Sequence, residues 1–243
     1  RIESGERVWR RYTIPKPGEP GSDTWQDKEK TAWQRGGGAA WITGLQSTGV
    51  AATAKHFPGL GRVVGNTDFT SAVIDTVTTA TVPYIEPFSS AVTAGVPFVM
   101  VSLATYDRID SDHLAAFSPV VIERILRREL GFDGVVMSDS LTAHAVADMS
   151  PAQRAIDFIE AGGDMIVLGP IDVAVPMAQA LAKRATSEAT FRARIDQSAL
   201  RILEAKERLS LDRKRLVEEG RDPDDLEAQA ERVRRQEVEI GEQ

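Results

Sequence analysis

Between residues 39 and about 203 the chain alternates short, nearly unbroken apolar runs with amphipathic stretches, and this pattern restricts its folding more than any other feature. The runs occupy residues 50–54, 97–101, 134–137 and 164–168. A strand with one wet face alternates apolar and polar residues, whereas an unbroken run has to be covered on both faces. Such runs, separated by segments of helix length, predict an α/β fold of repeated βα units around a parallel sheet.

The intervening segments carry helix signals. Ser118-Pro119 combines an N-cap residue with proline at the first helical position, and Val121, Ile122, Ile125 and Leu126 then recur on one face. Ser150-Pro151 repeats the start, leading through Ile156, Phe158 and Ile159 to a glycine stop at Gly162-Gly163. Residues 189–209 predict a further helix on a stripe that includes Phe191, Ile195, Leu200, Ile202 and Leu203.

The flanks differ in character. Residues 1–38 are polar, broken by Pro15, Pro17, Gly18, Pro20 and Gly21, and end in Gly36-Gly37-Gly38; they read as an irregular leader. An arm packed on the body through Trp9, Trp25 and Trp33 is the competing view. Residues 211–243 turn to Glu, Arg, Asp and Gln and predict a charged helical tail with a break near Pro223. The chain thus divides into 1–38, 39–210 and 211–243.

Composition removes several function classes. A net charge of −7 and a pI near 5.1 speak against nucleic acid or an anionic membrane as partner. With no cysteine among 243 residues there is no disulfide, thiolate metal site or cysteine nucleophile. No apolar run reaches the roughly 20 residues of a membrane span, and no secretory signal opens the chain. No cofactor is expected: Gly59-Leu60-Gly61 lacks the later glycine of a dinucleotide fingerprint, and Gly36-Gly37-Gly38 is not followed by the lysine of a phosphate loop. His56, His113 and His144 are too scattered to predict a metal site.

Parallel βα folds place their working residues at the carboxyl ends of strands. There, Asp139 follows the run 134–137, and Lys55-His56 follows the run 50–54, beside a turn stiffened by Pro58 between Gly59 and Gly61. By position alone Asp139 reads first as a helix N-cap for the segment from Leu141 onward. Lys55 and His56 read equally as sugar-hydroxyl donors or as groups satisfied by backbone and a nearby acid.

Three stretches, in order, resemble a known family: Lys55-His56-Phe57-Pro58-Gly59-Leu60-Gly61, the loop reaching Asn66-Thr67-Asp68, and Gly131-Phe132-Asp133-Gly134-Val135-Val136-Met137-Ser138-Asp139. With Gly44-Leu45-Gln46, Pro87-Phe88 and Ala161-Gly162-Gly163-Asp164-Met165 they are similar to the N-terminal barrel domain of glycoside hydrolase family 3, in its bacterial β-N-acetylglucosaminidase branch. The resemblance covers about residues 39–205.

What it implies is a retaining, exo-acting hydrolase that removes β-linked N-acetylglucosamine from cell-wall or other saccharides. Asp139 matches the nucleophile, Lys55 and His56 match residues that bind hydroxyls of the terminal sugar, and Met100, with the segment through Tyr106, matches the opposite wall of the pocket. The branch's proton-transferring histidine, and the aspartate two residues before it, correspond here to Asp68 and Asn66. Asp68 is therefore the candidate proton donor, with a plain turn residue as the alternative.

A complete barrel takes about 250 residues and eight βα units, whereas only four runs are evident. The expected fold is a partial (β/α)8 TIM-type barrel, the later portion, with unpaired edges that invite self-association. The competing functions are a saccharide-binding or interaction protein without turnover, and a β-glucosidase of the same family. Relatives work both inside bacterial cells and tethered outside them, so location stays open.

Overall fold

The computed structural model describes residues 38–81 and 83–218. The leader expected over 1–38, Gly38 apart, and the part of the tail after 218 lie outside the described residues.

Four strands form one parallel sheet in the order β1 (Thr53–Phe57), β3 (Phe98–Val101), β6 (Val135–Ser140), β7 (Met165–Val167). Helix α1 (Gly38–Gln46) precedes β1 and α2 (Glu86–Thr93) precedes β3. A π-helix (Val120–Glu129) leads into β6, and α3 (Pro151–Glu160) into β7. The chain then continues as α4 (Ala174–Ser187) and α5 (Ala189–Glu218), the latter running without a break past residue 210. This is the expected α/β arrangement, barrel-like in its succession of parallel strands and helices. Among the described residues β1 and β7 each have one neighbouring strand.

The helix signals act as their chemistry predicts. The Ser118 hydroxyl accepts from the Val121 amide at 3.1 Å, and Val121, Ile122, Ile125 and Leu126 are buried. Ser150 accepts from the Gln153 amide at 3.2 Å and starts α3, which ends at Glu160, with Gly162 at a φ of 108° turning the chain away just beyond it. A Cβ on Gly163 would press into the Phe158 ring more closely than real Cβ atoms approach anything.

Two strand boundaries differ from the apolar runs. β1 begins at Thr53 rather than at residue 50, because its partner β3 begins at Phe98, opposite Thr53. β6 continues through Ser138, Asp139 and Ser140, with Val101 opposite Ser138 and Val167 opposite Ser140. Strand pairing uses backbone groups and does not stop where apolar side chains stop. A second, three-stranded sheet of β2 (Ile74–Asp75), β4 (Thr105–Tyr106) and β5 (Asp110–Leu114) was not evident in the sequence. β2 and β4, with two residues each, are too short to show a period, and β5 has a single apolar residue, Leu114.

The inward face of α5 follows the apolar stripe only at its start, where Phe191 and Ile195 pack on the core. Phe191 is buried, but Leu200 and Leu203 are 55% and 62% exposed. Arg194, Ser198 and Arg201 face the body instead, drawn by Asp164 just before β7. The Asp164 carboxylate is wholly buried and accepts from Arg194 at 3.1 Å, Arg201 at 3.0 Å, the Ser198 hydroxyl at 3.0 Å, the Val136 amide at 2.9 Å, and Arg127. Three guanidinium groups therefore depend on one carboxylate to offset their desolvation. Asp164→Asn leaves them uncompensated and is expected to cost about 3–5 kcal/mol in urea unfolding; a loss under about 1 kcal/mol would show that the cluster does not anchor α5.

Candidate active site

The site is assembled at the carboxyl ends of β1 and β6. Residues of β6 alternate faces: Val136 and Ser138 are buried on one side, while Met137 and Asp139 are only partly covered on the other. Asp139 does not cap a helix, because it lies within the strand; the short 3-10 helix His144–Val146 follows Ala143, and α3 starts at Pro151. One carboxylate oxygen, Oδ1, accepts from the Ser140 amide at 2.8 Å. The other, Oδ2, lies 3.7 Å from His56 Nε2, with the two side chains 16% and 25% exposed. That distance is too long for a hydrogen bond.

Lys55 and His56 lie within β1 rather than beyond its end. The Lys55–His56 and Phe57–Pro58 peptide bonds are cis. Behind them the strand end is braced from β3 and β4: the Ser102 amide donates to the Phe57 carbonyl at 2.9 Å, and the Tyr106 hydroxyl donates to the Gly59 carbonyl at 3.2 Å. Burial pushes the Tyr106 phenol up to about 12, so it remains a donor throughout the physiological range. Tyr106 is thus a brace for the Lys-His turn, a role that its position in the sequence did not disclose.

Burial is the largest influence on the His56 imidazole and, with help from the Lys55 charge, holds it below its ordinary value of 6.5. Asp139 and Asp68 pull it the other way, Asp139 the more strongly. A neutral imidazole beside Asp139 leaves Oδ2 free of an ion pair.

Asp68 is exposed, on a turn that Asn66 builds. The Asn66 side-chain oxygen accepts from the Asp68 amide at 2.9 Å, and its carbonyl accepts from Phe69 and Thr70. The backbone of this loop is tied to the segment after β6: the His144 amide donates to the Asp68 carbonyl at 3.2 Å and the Ala145 amide to the Thr67 carbonyl at 3.0 Å. Asp68 is therefore a turn residue in its backbone. Its carboxylate makes no hydrogen bond among the described residues and acts on His56 through space.

The structure thus places Lys55, Asp68 and Asp139 around His56, each close enough for its charge to act on the imidazole. Met100 stands opposite Met137, two residues below Asp139 on β6, so it lies one layer deeper on the same sheet face. A cavity of about 510 Å³ lies at the other end of the strands, bordered by Pro97, Gly134 and Arg201, and shares no residue with this cluster. The arrangement offers one carboxylate with a free oxygen, a neutral imidazole, an ammonium and a second carboxylate on a loop.

Comparison with known proteins places the chain in a family. The profile of the Glycosyl hydrolase family 3 N terminal domain matches residues 14–205, including much of the segment set apart as a leader. The chain is 35% identical to a beta-hexosaminidase of Nitrosospira multiformis over 129 residues, spanning 52% of this chain and 37% of that protein. A beta-hexosaminidase of Vibrio cholerae serotype O1 is 30% identical over 195 residues, spanning 74% and 56%. Among solved structures, the beta-N-acetylhexosaminidase of Beutenbergia cavernae superposes with a TM-score of 0.69 at 42% identity, over 74% of this chain and 53% of the other. A family 3 beta-N-acetylglucosaminidase of Paenibacillus does so at 0.66 and 30%, over 76% and 35%. The chain spans between 35% and 56% of the length of these four relatives. Since the profile takes in most of the chain, with the parallel sheet and the residues gathered at its mouth, the chain belongs to the glycosyl hydrolase family 3 N-terminal domain family.

Proposed function

We propose that the chain acts as a retaining, exo-acting glycosidase on β-linked N-acetylglucosamine or a related sugar. The observation that supports this most is the free Oδ2 of Asp139, 3.7 Å from an imidazole that burial keeps neutral. In the first step Oδ2 bonds to the anomeric carbon while the bond from that carbon to the leaving oxygen breaks, and Asp68 gives that oxygen a proton. In the second step Asp68 takes a proton from water, the water oxygen bonds to the anomeric carbon, and the ester to Asp139 breaks. Lys55 and His56 hold hydroxyls of the terminal sugar, with Met100 as an apolar floor. The similarity to hexosaminidases favours an N-acetylated sugar over glucose.

A 5-fluoro glycosyl fluoride that keeps the 2-acetamido group forms the ester and hydrolyses slowly, so it is expected to add one sugar mass to the peptide holding Asp139. Asp68→Asn is expected to slow an alkyl glycoside by about 10²-fold or more while sparing an activated aryl glycoside, whose leaving group needs no proton. Binding of the fluoride without labelling would instead favour a saccharide-binding protein, and equal slowing of both glycosides would remove Asp68 from the acid role.

The lowered pKa of His56 sets a direction in pH. Below 6.5 the unfolded chain takes up this proton before the folded one does, so stability is full above 6.5 and falls as pH drops from there toward the folded value. Protonation of the folded chain also pairs His56 with Asp139 and occupies Oδ2, so labelling slows as pH falls through the folded value, at the lower end of that window. His56→Gln is expected to flatten that limb in both thermal unfolding and labelling rate; an unchanged limb would assign it to another group.

The self-association expected from the sequence rests on the β1 and β7 edges, which have no further strand beside them among the described residues. Multi-angle light scattering is expected to give a mass of at least twice 26.5 kDa. A single species at the chain mass would overturn this.

A further inference from the structure

Arg154 lies on α3, is only 9% exposed, and has no carboxylate within ion-pairing distance among the described residues. A guanidinium buried without a counter-charge is costly unless its donors are well used. Here they are spent on one loop. Nε donates to the Met149 carbonyl at 2.9 Å, Nη1 to Leu141 at 2.7 Å and Nη2 to Ala147 at 3.2 Å. These three acceptors span residues 141–149, the whole connection between β6 and α3.

The middle of that loop is what holds the candidate proton donor. The His144 and Ala145 amides donate to the carbonyls of Asp68 and Thr67 at 3.2 and 3.0 Å. The start of the loop is fixed separately, by the Leu141 amide donating to the Val167 carbonyl at 2.9 Å. Its far half has the Arg154 fork as its tie to α3. We propose that Arg154 is a positioning residue that sets where Asp68 stands relative to Asp139 by clamping the 141–149 loop, while touching neither carboxylate. The proposal rests on the roles given above to Asp68 and Asp139.

A planar fork with several fixed donors can reach three carbonyls at once, whereas an ammonium is a single point with a flexible stem. Arg154→Lys therefore keeps the charge and loosens the clamp, and Arg154→Met removes both. If the methionine variant does not fold, the lysine variant carries the test.

In the full chain, hydrogen exchange at the His144 and Ala145 amides is expected to speed up by roughly tenfold in Arg154→Lys, with the Val99 and Val136 amides of the sheet unchanged. The activity ratio of alkyl to activated aryl β-N-acetylglucosaminide is expected to fall by roughly tenfold, while the 5-fluoro sugar still labels Asp139. Unchanged exchange at residues 144 and 145, or equal loss on both glycosides, would overturn the proposal. Failure of the unsubstituted chain to label at Asp139 would instead overturn the glycosidase reading, and the exchange measurement would still decide whether the clamp exists.

Discussion

The site depends on β6 being paired on both sides. Met137 stands between Met100 and Met165, and each of these parallel contacts is made by backbone groups. With both edges occupied, β6 has no register freedom, because a slip of one residue would turn Asp139 from the partly open face to the buried one. The neighbouring strands thereby fix the direction of a single carboxylate. That carboxylate can then meet His56 across the sheet, although 82 positions lie between the two in the numbering.

Charged groups in this structure divide by what surrounds them. Asp164 is enclosed by three arginines, a hydroxyl and an amide, so its lone pairs are spent and it serves to hold α5 and the sheet together. Asp139 keeps one oxygen unused and partly open to solvent, which is the condition for reacting with anything. Arg154 is the reverse of Asp164, a buried cation satisfied by carbonyls alone. It ties the loop after the nucleophile strand to the helix that follows, and through that loop it reaches Thr67 and Asp68. Structure and chemistry are linked here by backbone carbonyls more than by side-chain contacts.

The elements that could be read from the chain were those whose cause is local. Ser118-Pro119 and Ser150-Pro151 start helices because a hydroxyl and a fixed φ act within one turn. The four apolar runs each lead into a strand of the parallel sheet, although successive residues are buried only in β6, at Val135 and Val136, and β1 leaves Thr53 and Lys55 exposed. Signals failed where the cause was distant. Leu200 and Leu203 belong to the apolar stripe yet stay exposed, because the buried carboxylate of Asp164, thirty or more residues earlier, turns Arg194, Ser198 and Arg201 inward.

The family and its candidate residues could be named from the chain alone, since Lys55-His56 and Ser138-Asp139 are short motifs whose identity does not depend on packing. The order of helices and strands is likewise set by propensity, caps and turns acting over a few residues. Only the tertiary structure decided that Asp139 lies in a strand with one oxygen free, that His56 is held neutral by burial, and that a turn built by Asn66 leaves Asp68 exposed beside them. Those outcomes depend on desolvation and on distances between groups far apart in the chain, and no local pattern encodes either quantity.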